Sequence, residues 1–222
     1  MVIRPRIRPR AVLLVVVGWV CVVAAACSGP SDDGASGAGS PSTLGAVVRD
    51  DPLRVGQVTL PEVTGGKTPT PFAMTARSGG LLVTFFGYTN CPDVCPTTLA
   101  GLRTAYRGLG DAAARIHTAM VTVDPDRDTP EVMTRYLASF FPARYHALRT
   151  LDDEALRAAE GPFLATSSVS RGLDGTVEVT HTGTTYVIDS SGTVLAEWPF
   201  GTDAATMRND LLLLLRRVGG AT

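Results

Sequence analysis

Cys91 and Cys95 are the residues of this chain whose type and spacing are best suited to chemistry. Of the four cysteines in the sequence, Cys21 lies in an apolar leader and Cys27 directly after it, so only the close pair is left for a folded domain. A disulfide between them would close a very short loop and add little stability. The pair therefore favours redox chemistry or the binding of a soft metal, such as Cu(I), zinc or an iron–sulfur cluster.

Two thiolates rarely hold a metal ion alone, and the three histidines of the chain are the candidates for a third ligand. His117 and His146 lie near the starts of predicted strands, where packing or exposure to solvent explains them. His181 lies among small polar residues in a predicted loop, from which its ring could reach the cysteines, although on this spacing alone an ordinary surface histidine is the default interpretation. A structural zinc site is disfavoured, because such sites usually have four ligands.

The cysteine pair lies between a predicted strand and a predicted helix. Residues 81–88 form a continuous apolar run, which is typical of a strand buried on both faces. Pro96 disfavours helical geometry at Cys95, which predicts Cys95 as the N-cap and Pro96 as the first residue of a helix that continues to about Leu109. Because the helix dipole stabilises a thiolate at this position, we expect a lowered pKa for Cys95.

The remaining helices and strands alternate before the chain becomes rich in β-structure. Further strands are predicted at residues 116–123, 147–148, 177–179, 184–188 and 193–198, and further helices begin at Pro130, Asp152 and Asp203. A turn at residues 190–192 joins the last two strands into a hairpin. This order predicts an α/β, thioredoxin-like fold, in which a central mixed β-sheet is flanked by helices on both faces.

The N-terminal segment predicts export and attachment to a membrane. Four arginines within the first ten residues precede an apolar run over residues 11–26, which has the form of a signal peptide and is shorter than a membrane-spanning helix. The three alanines before Cys27 resemble a bacterial lipobox and predict lipidation of Cys27, with an uncleaved anchor as the alternative. We therefore expect a signal peptide over residues 1–27, a flexible tether rich in Ser, Gly and Ala over residues 28–50, and an extracytoplasmic domain over residues 51–222.

The composition suits a folded domain and argues against nucleic acid as a partner. Hydrophobic residues make up 45% of the chain and charged residues 18%. The formal net charge is −1, and without residues 1–26 the chain keeps 16 basic and 21 acidic residues, a net charge of −5. Because no basic stripe remains, we expect no binding to nucleic acid.

Three motifs, in this order, resemble the Sco (SenC) family of copper chaperones over roughly residues 55–218. They are Cys91-Pro92-Asp93-Val94-Cys95-Pro96, the stretch from Val123 to Pro130, and His181 before Tyr186-Val187-Ile188-Asp189. The resemblance implies that Cys91, Cys95 and His181 bind copper as Cu(I) and Cu(II). It also implies a role in building the dinuclear copper site of cytochrome c oxidase, with the copper-receiving subunit or another cuproprotein as partner. We assign the stretch from residue 124 to 130 a structural role.

A thiol–disulfide oxidoreductase is the main alternative function. It would use Cys91 and Cys95 as a redox pair, together with a thiol reductant, and would transfer no metal. A peroxidase of the peroxiredoxin kind on the same fold is a further alternative. The sequence leaves open whether the protein is an enzyme, because a metallochaperone would not be one and a disulfide reductase would.

Overall fold

The structure is a computed structural model that describes residues 43–220. Within these residues the chain forms nine strands and four α-helices. The strands are β1 (Thr59–Glu62), β2 (Thr70–Ala73), β3 (Leu81–Gly87), β4 (Ile116–Thr122), β5 (Tyr145–Leu148), β6 (Ser167–Arg171), β7 (Val177–His181), β8 (Thr185–Ile188) and β9 (Val194–Trp198). The helices are α1 (Val94–Arg107), α2 (Pro130–Ala138), α3 (Asp153–Glu160) and α4 (Ala204–Gly219).

Seven of the strands form one mixed sheet, in the order β2-β1-β5-β4-β3-β8-β9. Strands β3, β4 and β5 run parallel to one another, while β8 pairs antiparallel with β3 and with β9. Strands β6 and β7 form a separate antiparallel pair. The predicted thioredoxin-like fold, with its mixed sheet and late β8–β9 hairpin, is confirmed.

Strand β3 lies within the sheet because every one of its residues can be buried. Its sequence, Leu-Leu-Val-Thr-Phe-Phe-Gly, is buried along its whole length, as its continuous apolar run predicts. The single polar residue, Thr84, donates its hydroxyl hydrogen bond to the carbonyl oxygen of Ala119 on β4 (3.1 Å). The strand is therefore paired with β4 along its whole length, paired with β8 over residues 82–85, and buried up to the point at which the cysteine loop begins.

Helices α1 and α4 pack against each other beside the sheet. Leu99 and Leu102 of α1, like Leu211 and Leu214 of α4, are completely buried. The apolar run at residues 211–215, near the end of the chain, is thus part of the core. Over residues 43–220, no helix combines the length and the apolar character needed to cross a lipid bilayer.

Strands β1, β2 and β6 were not predicted from the sequence. In the antiparallel pair of β1 and β2, Pro61 lies opposite Pro71. Proline is a weak strand former, because it cannot donate a backbone hydrogen bond to the neighbouring strand. Strand β6 is almost wholly exposed and carries no apolar alternation. These strands form because a partner strand is available, which local sequence patterns do not show.

Residues 45–49, at the end of the predicted tether, lie on the domain. Val47 exchanges two backbone hydrogen bonds with Glu197 of β9 (3.0 and 2.9 Å), and Arg49 forms an ion pair with the same glutamate. The backbone N–H of Gly45 donates to the buried carboxylate of Asp210 (2.8 Å). Residues 45–49 pair with β9 because this is the last strand of the sheet and its outer side has free backbone groups. The predicted signal peptide, Cys27 and most of the tether lie outside the described residues.

His117 and His146 lie near the N-terminal ends of β4 and β5, whereas the cysteine pair follows the C-terminal end of the parallel strand β3. His146 bridges His117 (Nδ1 to Nε2, 2.8 Å) and Glu62 (2.7 Å). Burial, followed by the neighbouring His146, lowers the pKa of His117 to about 4. The two rings therefore act in packing and hydrogen bonding, in agreement with the sequence analysis.

The low pKa of His117 should make the domain sensitive to acid. Since an unfolded histidine has a pKa of about 6.5, the contribution of neutral His117 to stability is complete above that pH and is lost as the pH falls towards 4. We expect the His117→Gln variant to lose stability less steeply than the wild type over this interval, by up to about 1 kcal/mol per pH unit after allowance for solvent screening. Urea unfolding at several pH values measures this difference, and equal slopes would contradict it.

Candidate metal centre

The cysteine pair lies where β3 passes into α1. The prediction that Cys95 caps this helix is wrong by two residues, because Asp93 is the N-cap and Cys95 is the second helical residue. Pro96 is tolerated as the third residue, since the first four N–H groups of a helix need no acceptor within it. The first helical hydrogen bond runs from the N–H of Thr97 to the carbonyl of Asp93 (3.1 Å).

The helix start brings both sulfur atoms to the end of the central strand. Cys91 and Cys95 are free and buried, and the backbone N–H of Cys95 donates to the sulfur of Cys91 (3.4 Å). Gly87 makes room for Cys95, because a Cβ atom at Gly87 would lie 2.6 Å from the Cys95 sulfur. The position of this sulfur therefore depends on the absence of a side chain at the end of β3.

Burial raises the pKa of the Cys95 thiol well above its ordinary value, and the neighbouring Cys91 raises it further. The expected lowering by the helix dipole is thus wrong, because the cost of desolvating a thiolate that is only 1% exposed exceeds the benefit from the helix N-terminus. Near neutral pH the free protein holds Cys95 as a thiol. A metal ion that binds its sulfur must therefore displace a proton.

His181 is the last residue of β7, not part of a loop as predicted, and it pairs with Ser167 of β6. Its Nδ1–H donates to the carbonyl oxygen of Thr182 (3.1 Å), which can only accept. This contact leaves Nε2 without a hydrogen, at 3.8 Å from the sulfur of Cys95. The ring therefore presents a free nitrogen lone pair to the cysteine pair, which suits it to bind a metal ion.

One ligand atom from each of Cys91, Cys95 and His181 lies within 4.8 Å of the others. An ion about 2.3 Å from each sulfur and about 2.0 Å from the nitrogen would separate these atoms by about 3.7–4.0 Å in a trigonal site. The observed arrangement, with all three atoms within 4.8 Å, thus needs to contract by about 1 Å at most. Two sulfurs and an imidazole form a donor set that suits a soft or borderline ion.

Tyr88 supports the histidine from the side of the strand. The edge of one ring faces the other at a centroid distance of 5.8 Å. Arg127, which forms an ion pair with the buried Asp124, lies over the Tyr88 ring at 5.9 Å from its centroid. Tyr88 was not predicted from the sequence as part of the site, although its place between a buried strand and the cysteine loop was a usable signal.

Asp128 fixes the start of the cysteine loop. Its fully buried carboxylate accepts hydrogen bonds from the backbone N–H of Thr89 (3.1 Å), from the hydroxyl of the same residue, and from the hydroxyl of Thr122 (2.6 Å). The following Thr129 caps α2 by accepting from the N–H of Val132 (3.3 Å), and the helix begins at Pro130, as predicted. The stretch from residue 124 to 130 therefore ties β4 and α2 to the cysteine loop and places no ligand in the site.

The fold and this site together define a thioredoxin-like domain with a cysteine–cysteine–histidine centre. The chain belongs to the SCO1/SenC family, whose model matches residues 67–216. It is 33% identical to the apo Sco1 protein of Thermus thermophilus, with a TM-score of 0.64 over 79% of this chain and 98% of that structure. It is 27% identical to ScoI of Bradyrhizobium japonicum, solved with copper bound, with a TM-score of 0.59 over 76% of this chain and 98% of that one.

The matches to curated relatives are shorter. A SCO2-like protein of Rickettsia prowazekii is 32% identical over 120 residues, which cover 51% of this chain and 56% of the relative. A Stutzerimonas stutzeri relative is 29% identical over 128 residues, or 60% of its length. The chain thus spans little more than half the length of these relatives.

The Gly87→Ala variant should disturb the site directly. Its Cβ atom would displace the sulfur of Cys95, so we expect a loss of about 1–3 kcal/mol in the free energy of unfolding, together with weaker metal binding. Gly161→Ala is the matched control, because a Cβ atom there meets nothing within 4 Å. Denaturant unfolding of both variants measures the difference, and equal stability would show that the close approach imposes no constraint.

Proposed function

We propose that this protein is a copper chaperone that holds one copper ion through Cys91, Cys95 and His181. The observation that carries the proposal is the convergence of the three ligand atoms within 4.8 Å. Sulfur ligands favour Cu(I), and imidazole also suits Cu(II), so this donor set accommodates both oxidation states. The copper-bound state of the Bradyrhizobium japonicum neighbour supports the same choice of metal.

Copper in this site is a cargo that the protein delivers. Three protein ligands leave a coordination position open, so that a ligand of a recipient protein can add before a ligand of the chaperone leaves. The recipient that we propose is the copper-receiving subunit of cytochrome c oxidase. A structural neighbour is described as a member of the Sco family of cytochrome c oxidase assembly proteins.

A thiol–disulfide oxidoreductase is the second candidate, because both cysteines are free and their sulfurs lie within 4.8 Å of each other. Burial and the raised pKa of Cys95 argue against it, since a thiolate is the attacking species in disulfide exchange. The same burial is compatible with metal binding, because the metal ion displaces the proton. We therefore place copper binding first.

Replacement of His181 separates the two functions. In the His181→Ala variant we expect copper affinity to fall by more than about 100-fold. The loss of a group that only hydrogen-bonds to a ligand costs up to about 100-fold, and here the ligand itself is lost. The reactivity of the cysteine pair towards a small disulfide should stay close to that of the wild type. Anaerobic competition with a chromophoric Cu(I) chelator and an exchange assay measure the two properties.

His117→Ala is the matched control for this experiment, since its ring bonds to His146 at the opposite end of the parallel strands. It should bind copper like the wild type. If His181→Ala binds copper as tightly as His117→Ala, the imidazole is not a ligand, and the oxidoreductase becomes the better assignment.

We propose that the N-terminal segment anchors the domain on the extracytoplasmic side of the membrane through lipid on Cys27. The alanines before this cysteine support the proposal. A SCO1/SenC family lipoprotein of Bacillus anthracis is among the structural neighbours. The anchor would keep the domain close to a recipient that lies in the same membrane.

The Cys27→Ser variant tests this anchor. We expect it to lose labelling by a fatty-acid analogue and to leave the membrane fraction, whereas Cys21→Ser, the matched control in the leader, should keep both properties. Fractionation followed by detection of the protein gives the result. If Cys27→Ser stays in the membrane unlabelled, the segment is an uncleaved anchor.

A further inference from the structure

A cavity of about 450 Å³ lies away from the cysteine–histidine centre, beside the C-terminal ends of α1 and α2. Its apolar wall includes Tyr106, Ile116, Phe140 and Phe141, and no acidic residue lines it. Three arginines complete the lining: Arg103, Arg107 and Arg144. The cavity therefore combines aromatic surface with three positive charges, in the size range of small-molecule sites.

The three guanidinium groups have no counter-charge on the domain. Across residues 43–220, ion pairs form at other arginines, and none includes Arg103, Arg107 or Arg144. The Nε of Arg103 is buried and has no hydrogen-bond partner, which is rare for a buried donor. By comparison, Arg149 donates twice to the carbonyl oxygen of Pro125. The cavity thus carries three positive charges that have no ion-pair partner among residues 43–220, and an anion would neutralise them.

The backbone and the rings hold these arginines at the cavity. Arg144 has a φ of 59°, in the left-handed region that residues other than glycine seldom adopt, and strain of this kind often accompanies function. The guanidinium of Arg103 lies over the ring of Phe140, at 5.7 Å from its centroid. The hydroxyl of Tyr106 forms a hydrogen bond with the hydroxyl of Thr118 (2.8 Å). Its ring can therefore offer apolar surface while the arginines supply the polar contacts.

We propose that this cavity binds a dissolved organic anion, whose carboxylate or phosphate group pairs with Arg103 and whose flat apolar part lies on the aromatic wall. Arginine binds both groups through paired N–H donors and stacks on planar rings. A membrane surface is a poorer occupant, because none of the large apolar side chains that are exposed on the domain lines the cavity. Arg103 lies eight residues after Cys95 on α1, or about 12 Å along the helix, so the site does not depend on copper.

Calorimetric titration of the metal-free full chain with phenyl phosphate tests the proposal. Two comparison probes separate the two parts of phenyl phosphate. Inorganic phosphate has the anionic group without the ring, and benzyl alcohol has the ring without the charge. We expect phenyl phosphate to bind one-to-one and at least about tenfold more tightly than either of them. Because a hydrogen bond to a charged group is lost, Arg103→Gln should weaken its binding about tenfold or more.

Arg135→Gln is the matched control, since Arg135 is an exposed arginine of α2 that does not line the cavity. Its dissociation constant for phenyl phosphate should stay within about twofold of the wild-type value, whereas the loss of a contact to a charged group changes this constant about tenfold. Thermal unfolding checks that Arg103→Gln is folded, and Arg107→Gln replaces it if it is not. The proposal is overturned if inorganic phosphate binds as tightly as phenyl phosphate, or if the folded cavity variants keep the wild-type affinity.

Discussion

The candidate centre depends on one buried atom, the sulfur of Cys95, which packs against Gly87 at the end of the central strand. Every residue of that strand is buried, so the sulfur rests on a fully packed part of the domain. Burial raises the pKa of this thiol, so a metal ion that binds the sulfur has to displace its proton. The hydrogen bonds from Thr89 and Thr122 to Asp128 then limit how far the start of the cysteine loop can move away from the Cys95 sulfur.

The histidine comes from a different kind of structure. It ends a strand of a small two-stranded sheet whose residues are largely exposed, and its link to the rest of the site includes the ring of Tyr88 and an exposed ion pair between Arg171 and Asp126 (2.8 Å). Few buried contacts mean a lower cost of local opening. The centre thus joins two buried sulfurs to one nitrogen on a less stable support, so the nitrogen is held less firmly than the sulfurs.

Sequence patterns predicted the parts of the fold that local chemistry decides. The apolar run of β3, the β8–β9 hairpin and the Thr129–Pro130 start of α2 were all recognisable. The edge strands were not, because they contain proline or lack an apolar face and form only through their partners. The helical position and the pKa of Cys95 were wrong for a related reason, since burial of the sulfur depends on residues distant in sequence. The cysteine pair followed from residue type and spacing, the choice of His181 as the third ligand came from the family resemblance, and the structure added their distances.

The segment around Val47 has a consequence for how the protein behaves when many copies are crowded together. It occupies part of the outer side of β9, one of the two terminal strands of the large sheet, and the other terminal strand, β2, contains Pro71. An open strand edge invites another chain to continue the ladder, and both a covering segment and a proline discourage that addition. Crowded copies can therefore collide often without joining into extended β-assemblies.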